Sequence, residues 1–210
     1  MKKLLLVFAL LLNVVWANAQ GWSGSGAGTE NDPYLIFNPI QLDQVRNFLG
    51  MPDVYFKMMS DVDVSEYISD NNPTQGWQPI GTPSEAFKGV FDGNGKTISN
   101  LTYEGSVYGG MFGVLCGEVY NLNLIDASIT TNKDKSGILC GYCGTGDIIT
   151  GYVHGCKITG TLTVDNNTIG GVAGCMCGGE IYECDVDAKI TQIGTGRQQQ
   201  VLCRWYRRLR

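Results

Sequence analysis

The chain has a single histidine, His154, among its 210 residues. One imidazole excludes an HExxH metalloprotease helix, and any Ser-His-Asp triad would have to be built on His154, a position that aligns with tyrosines. Long apolar runs are also missing: beyond residue 16 nothing approaches the roughly 20 residues that a membrane-spanning helix needs. Basic side chains are scarce in the body of the chain. From Glu30 to Lys189, 8 Lys and Arg face all 20 acidic residues, a balance of −12 that does not suit a nucleic-acid backbone. Metal-ligand spacing is thin as well. Cys140-Gly141-Tyr142-Cys143 has no second CxxC or His pair to complete a zinc site. It also lacks the βαβ setting that a thioredoxin-like redox motif requires. Asp92-Gly93-Asn94-Gly95 lacks the alternating oxygen ligands and closing Glu of a calcium loop, so it reads as a left-handed turn. No metal or cofactor is expected.

What the chain does have begins with Lys2-Lys3, an apolar stretch over residues 4–16 and Ala17-Asn18-Ala19. This is the pattern of a secretory signal peptide, residues 1–19, cut after Ala19. The expected location is therefore exported: secreted or outer cell surface, with the periplasm as the alternative. About 190 residues remain, enough for one domain with a core. Glycine is abundant, 29 of 210, and Thr, Val, Ile and Asn are prominent after Val54. That composition suits short strands and tight turns.

Residues 20–37 read as a Gly/Ser-rich leader followed by a short strand at Pro33-Tyr34-Leu35-Ile36. Residues 38–50 read as a capping helix: Asn38 is an N-cap, Pro39 the first helical residue, Gln41 the N3 partner and Gly50 the stop. Ile40, Leu42, Val45, Phe48 and Leu49 fall on one face at helical spacing, fit to lid the open end of a repetitive core. Tyr55 to Val64 reads as strand and 65–75 as loop. Trp77, Ile80 and Phe87 should fill the first, incomplete unit.

From residue 109 the chain repeats itself. Gly109-Gly110-Met111-Phe112-Gly113, Ser136-Gly137-Ile138-Leu139-Cys140-Gly141 and Gly170-Gly171-Val172-Ala173-Gly174 open units near 109, 136 and 170. The spacing between their second glycines is 27 and then 34 residues, a solenoid length. Within each unit Val119, Val153 and Ile181 align, and so do Tyr120, His154 and Tyr182. Stacked in register about 4.8 Å apart, equivalent positions form ladders. One inward ladder is Leu122, Cys156 and Cys184; another is Leu124, Ile158 and Val186; a third shares the slot of Cys116, Cys143 and Cys177. The expected fold is all-β, a parallel β-helix over 54–195 with the short N-terminal capping helix; a jelly roll or sandwich is the runner-up.

All eight cysteines lie between Cys116 and Cys203. Because Cys156 and Cys184 occupy a slot held by Leu122, the alignment favours a packed-thiol ladder over inter-coil disulfides or a metal site. His154 is expected as a stacked residue, pointing inward under strict alternation or outward if a corner intervenes. Asp126, Asp185 and Asp187 build no acidic column and read as a solvated face rather than a carboxylate pair for glycoside chemistry.

The order of motifs resembles a known group. Gly28-Thr29-Glu30-Asn31-Asp32-Pro33-Tyr34-Leu35-Ile36 precedes the helix; Trp77-Gln78-Pro79-Ile80-Gly81 leads into Phe87-Lys88-Gly89-Val90-Phe91-Asp92-Gly93-Asn94-Gly95; GGxxG units follow. This resembles GLUG-repeat secreted and surface proteins of Bacteroides-type bacteria. The resemblance implies a β-helix with adhesin-like use, binding glycan or a host or surface protein. Related repeats also accompany bacterial IgA-cleaving proteases; with no protease motif in this chain, that activity is not carried over. The expectation is a chain that is not an enzyme, with a carbohydrate-active lyase or hydrolase on the same scaffold as the alternative.

Residues 196–210 depart from the repeat and carry five Arg with no acid. Reading one base later at Trp205-Tyr206 forces a Gly, and permitted codons turn 203–209 into Ala-Gly-Gly-Ile-Ala-Gly-Cys, close to 169–175. The tail therefore reads as frameshifted, making the chain a truncated form of a longer repeat protein; a non-functional fragment is the third reading. The rival reading is a basic tail that contacts an anionic surface or nucleic acid.

Overall fold

A computed structural model describes residues 21–193 apart from 107, 133, 145, 147–149, 166 and 167. The stretch read as a signal peptide and the basic tail lie outside the described residues. The structure is mostly β, with two short helices, α1 (Pro39–Gln44) and α2 (Ser65–Asn71). Strands β1 to β6 are Tyr34–Ile36, Tyr55–Met58, Val62–Asp63, Val90–Asp92, Thr97–Ser99 and Thr102–Gly105. Strands β7 to β12 are Phe112–Leu115, Glu118–Tyr120, Asn123–Thr131, Ser136–Gly137, Cys140–Cys143 and Gly151–His154. Strands β13 to β17 are Lys157–Val164, Ile169–Gly170, Ala173–Met176, Gly179–Tyr182 and Asp185–Gln192.

These strands pair in parallel and distribute in rotation over separate sheets. One sheet runs β1-β2-β4-β8-β12-β16, a second β7-β11-β15, a third β3-β5-β9-β13-β17 with β6 also on β9, and β10 pairs with β14. From β7 onward successive passes of the chain add one strand to each of the three larger sheets, and side chains at paired positions line up. In the first sheet Tyr34, Phe56, Phe91, Val119, Val153 and Ile181 are consecutive partners facing the core. In the third, Val62, Ile98, Leu124, Ile158 and Val186 do the same. All of these are buried except Ile181 and Val186, which belong to the last pass and are half-buried.

Sequence explains the corners. The last three passes leave the first sheet through a residue with positive φ: Asn121 (51°), Gly155 (62°) and Glu183 (53°). Asn and Gly tolerate that region; Glu does so at a cost. The corner interrupts the period of two, which is why Leu122, Cys156 and Cys184 turn inward again. The glycines at 113, 141 and 174, which share one register position, have a different reason. A Cβ there would collide with the preceding pass: Gly81 O for Gly113, Tyr108 Cβ and Gly113 O for Gly141, and Ser136 N for Gly174.

The amino-terminal end is closed by α1 and the 3-10 turn Val45–Phe48, which together replace the single three-turn helix expected. The Asn38 side chain accepts from Gln41 N at 3.0 Å, as an N-cap should, while the Gln41 side chain reaches past it to Phe37 N at 2.8 Å. Leu42, Val45 and Phe48 are buried, but Ile40 is 57% exposed, so it lies outside the apolar stripe. The leader is no loose arm. Trp22 is buried against Tyr34, Phe48 and Phe56, with ring centroids 4.8–6.2 Å apart. The stretch read as loop contains α2, whose first turn is held by Asp63 Oδ1 accepting from Ser65 N at 2.9 Å. Trp77, Ile80 and Phe87 are in the core, as the sequence indicated.

Candidate binding surface

The outer face of the six-stranded sheet gathers the chemistry. Inward Val119, Val153 and Ile181 force their neighbours outward. One outward column therefore runs Lys57, Asp92, Tyr120, His154 and Tyr182. Beside it runs Tyr55, Val90, Glu118, Tyr152 and Glu180. All ten side chains are partly exposed. The His154 ring lies between Tyr120, 5.2 Å away at 3° between planes, and Tyr182, 4.8 Å away at 4°. Its Nε2 is 2.9 Å from Glu118 Oε1, and Lys57 Nζ is 3.3 Å from Asp92 Oδ2. Burial, and then the Asp92 carboxylate, raise the Tyr120 phenol. The rings stack on one another, so they present edges to solvent: hydroxyls and a ring nitrogen in a row, flanked by carboxylates.

His154 is thus a stacked, outward residue, the corner alternative of the two expected for it. Asp185 lies opposite Lys157, which lies opposite Asn123, and Asp187 is opposite Thr159. Neither has an acidic partner in register. Asp126 occupies a bulge in β9 at φ 56°, its N–H donating to Thr159 Oγ1 at 3.0 Å.

The expected ladders differ in fate. Leu124, Ile158 and Val186 are direct partners. Leu122, Cys156 and Cys184 each precede the partners Asn123, Lys157 and Asp185; Leu122 O accepts from Lys157 N and Cys156 O from Asp185 N. The third slot requires correction. Cys143 lies opposite Leu115 and Met176, not opposite Cys116 and Cys177, because the glycine-based alignment is off by one residue on either side. The ladder there is Phe87, Leu115, Cys143 and Met176. In register Tyr142 faces Cys175.

No disulfide joins the described cysteines. Cys140 and Cys143 form one hydrogen-bonded thiol pair, Cys156 and Cys184 another. Hydrogen bonding to Cys143 and burial push the Cys140 thiol up; the same combination with Cys184 pushes Cys156 up. Such groups are inert packing elements. A different cluster escaped the sequence reading: Lys135, Tyr108, Tyr142, Cys175 and Cys177 converge on the outside of the second sheet. Among the described residues no group of three or more His, Cys, Asp or Glu is arranged to hold a metal, and no helix is long and apolar enough to cross a membrane.

Comparison with known proteins adds context. No protein-family profile matches the chain. A segment of 128 residues, 59% of the chain, is 36% identical to a protein of Evansella cellulosilytica named "Putative Gly-rich membrane protein", of which it spans 14%. A segment of 154 residues, 71% of the chain, is 32% identical to halomucin of Haloquadratum walsbyi, of which it spans 2%. The chain thus covers a small part of the curated relatives it matches. Among solved structures, the fold matches the crystal structure of a "putative immunoglobulin A1 protease" from Bacteroides ovatus. The TM-score is 0.62 and the identity 30%, over 76% of this chain and 48% of that one. That last name overturns the expectation of a chain that is not an enzyme: the solved structure that this fold matches is named for a protease, which points toward an enzyme.

Proposed function

We propose that this chain is part of an exported, cell-surface or secreted parallel β-helix of the GLUG-repeat kind, and that it binds glycan in an adhesin-like way. Its binding surface is the outer face of the six-stranded sheet. The observation that carries this reading is the in-register column Tyr120–His154–Tyr182 beside Glu118–Tyr152–Glu180. Each pass of the chain offers hydroxyl or ring-nitrogen edges and a carboxylate at the same height. An extended polymer laid along the stacking direction meets a similar set of donors and acceptors at every step. Sugar hydroxyls supply both donors and acceptors, and Asp92, Glu118 and Glu180 disfavour polyanions. The names of the surface-type relatives and the resemblance to GLUG-repeat proteins support export. The rotation of parallel strands over separate sheets supports the β-helix, with 38–50 as its cap and 54–195 as its body. Within it Leu122, Cys156 and Cys184, and Leu124, Ile158 and Val186, act as packing ladders.

The test is affinity electrophoresis of the mature chain against a panel of neutral polysaccharides. We expect retardation by at least one, lost about tenfold or more in Tyr120→Ala and Tyr152→Ala with the urea midpoint unchanged. No retardation by any polysaccharide, or equal retardation of both variants, would refute the surface assignment.

A second reading follows from the Bacteroides ovatus match: the chain is one segment of a longer secreted enzyme. Incubation of the chain with immunoglobulin A1, followed by gel analysis, tests the protease activity named by that structure. Intact heavy chain would limit this chain to a non-proteolytic part.

A further inference from the structure

Cys175 and Cys177 differ from the other described thiols. Cys175 lies in the last strand of the second sheet and Cys177 one residue past its end, with Met176 between them; both are partly exposed, with Sγ atoms 3.5 Å apart. The backbone holds them in place: Cys175 pairs with Tyr142, and Cys177 N–H donates to Cys143 O at 2.9 Å. The Tyr142 hydroxyl donates to Cys177 Sγ at 3.0 Å. Lys135 stands over the same ring, its Nζ 4.8 Å from the Tyr142 centroid and 6.0 Å from that of Tyr108.

A thiol beside a hydroxyl donor and an ammonium group ionises more readily than one in the core. The hydrogen bonds from Tyr142 and Cys175, with the Lys135 charge, bring the Cys177 thiol down. Burial, followed by the hydrogen bond to Cys177, raises Cys175. Tyr142 itself is pushed up to about 12, chiefly by its bond to Cys177. One sulfur is thus prepared to attack and its neighbour stays protonated until needed. Cys140, Cys143 and Cys156 are buried, so a disulfide in solution does not reach them.

We propose that Cys177 and Cys175 form an exchangeable dithiol–disulfide couple that reacts with small disulfides, with Cys177 as the attacking thiol and Cys175 as the resolving one. In the first step the Cys177 thiolate attacks a disulfide RSSR, forming Cys177–S–SR and releasing RS⁻. In the second, Cys175 loses its proton, attacks Cys177 Sγ, and expels a second RS⁻ as the Cys175–Cys177 bond closes. Two electrons pass from the pair to RSSR, and two protons leave with the two RSH. The reverse reaction reduces the bond with excess RSH. The couple lies on a different face from the proposed glycan surface and is independent of it.

The experiment treats the mature chain with oxidised glutathione, blocks remaining thiols, and digests it with trypsin and a Glu-specific protease. The fragment 158–180 then contains these two cysteines and no others. In the wild type we expect this fragment to lose the mass of two hydrogens. In Cys175→Ser the mixed disulfide with glutathione should be trapped at Cys177. In Cys177→Ser, Cys175 should react at least about tenfold more slowly than Cys177 does in Cys175→Ser. Tyr142→Phe should move the pH midpoint of the exchange upward while the urea midpoint stays in place. A wild-type fragment that remains dithiol, or equal glutathione adducts in the two Ser variants, would overturn the proposal. So would an unshifted pH midpoint in Tyr142→Phe.

Discussion

Val119, Val153 and Val186 allow one substitution to be compared at three depths of the same stack. Val119 and Val153 are fully buried inward partners in consecutive strands of the six-stranded sheet. Val186 is an inward residue of the last strand of the third sheet, packed on one side by Ile158 and half-buried because no further strand pairs beyond it among the described residues. Truncation to Ala removes two methyl groups, worth about 1.6 kcal/mol of transfer free energy when fully buried. At Val119 or Val153 neighbours on both sides keep a cavity open, which raises the total to about 2–3 kcal/mol. At Val186 roughly half the transfer cost is incurred and no closed cavity forms, so the loss should stay under about 1 kcal/mol. With a urea dependence of about 2 kcal/mol per molar, the midpoint should fall by about 1 M for Val119→Ala and Val153→Ala but by less than about 0.5 M for Val186→Ala. Equilibrium unfolding followed by tryptophan fluorescence reads this directly. Equal shifts at all three positions would refute the reasoning, because they would require the last layer to be as enclosed as the middle ones.

Two further outcomes follow from local geometry. Glu183 holds φ 53° at the corner where the preceding passes have Asn121 and Gly155; Glu183→Gly should stabilise the chain by up to about 1 kcal/mol, read as a raised midpoint. Asp63 accepts from Ser65 N and Asn100 Nδ2, bonds that hold its carboxyl below the ordinary 3.8. A folded value below the unfolded one means that its contribution is present above 3.8 and lost as pH falls through the lowered value. Asp63→Ala should therefore narrow the difference in melting temperature between neutral and strongly acidic solution, and an unchanged difference would sink this account.

Much of the core was legible because it depends on a short-range rule. Alternation and repeat comparison put Leu124, Ile158 and Val186 in one column, and the structure pairs those residues. The same comparison slipped by one residue at Cys143. Glycines were used as the ruler there, yet chain length between a glycine and the following strand varies from pass to pass; hydrogen-bond register does not respect that spacing. Helix α2 was missed because Ser65 to Asn71 is mostly polar and its start is fixed by Asp63, a residue of the preceding strand. The Gly/Ser composition of the leader carries no periodicity to place it, but one aromatic, Trp22, anchors it. As for the outer face, Tyr120, His154 and Tyr182 were visible as a set. Glu118, Tyr152 and Glu180 were overlooked, although each stands one residue before an aligned apolar position and so faces the same way. The Tyr108–Lys135–Tyr142–Cys177 cluster joins three passes of the chain and has no local signature.

Among the described residues, every fully or nearly buried aromatic ring lies in the first part of the chain: Trp22, Tyr34, Phe48, Phe56, Trp77, Phe87, Phe91, Tyr103 and Phe112. Beyond Phe112 the interior is filled by aliphatic side chains and thiols, with smaller contact surfaces. Cohesion is therefore graded along the stack. Thermal or mechanical opening should begin at the carboxyl-terminal passes and travel toward the aromatic end, which holds longest. An extracellular protease would meet the chain in that sequence, trimming it pass by pass and leaving the Trp22–Phe112 block as the last resistant piece.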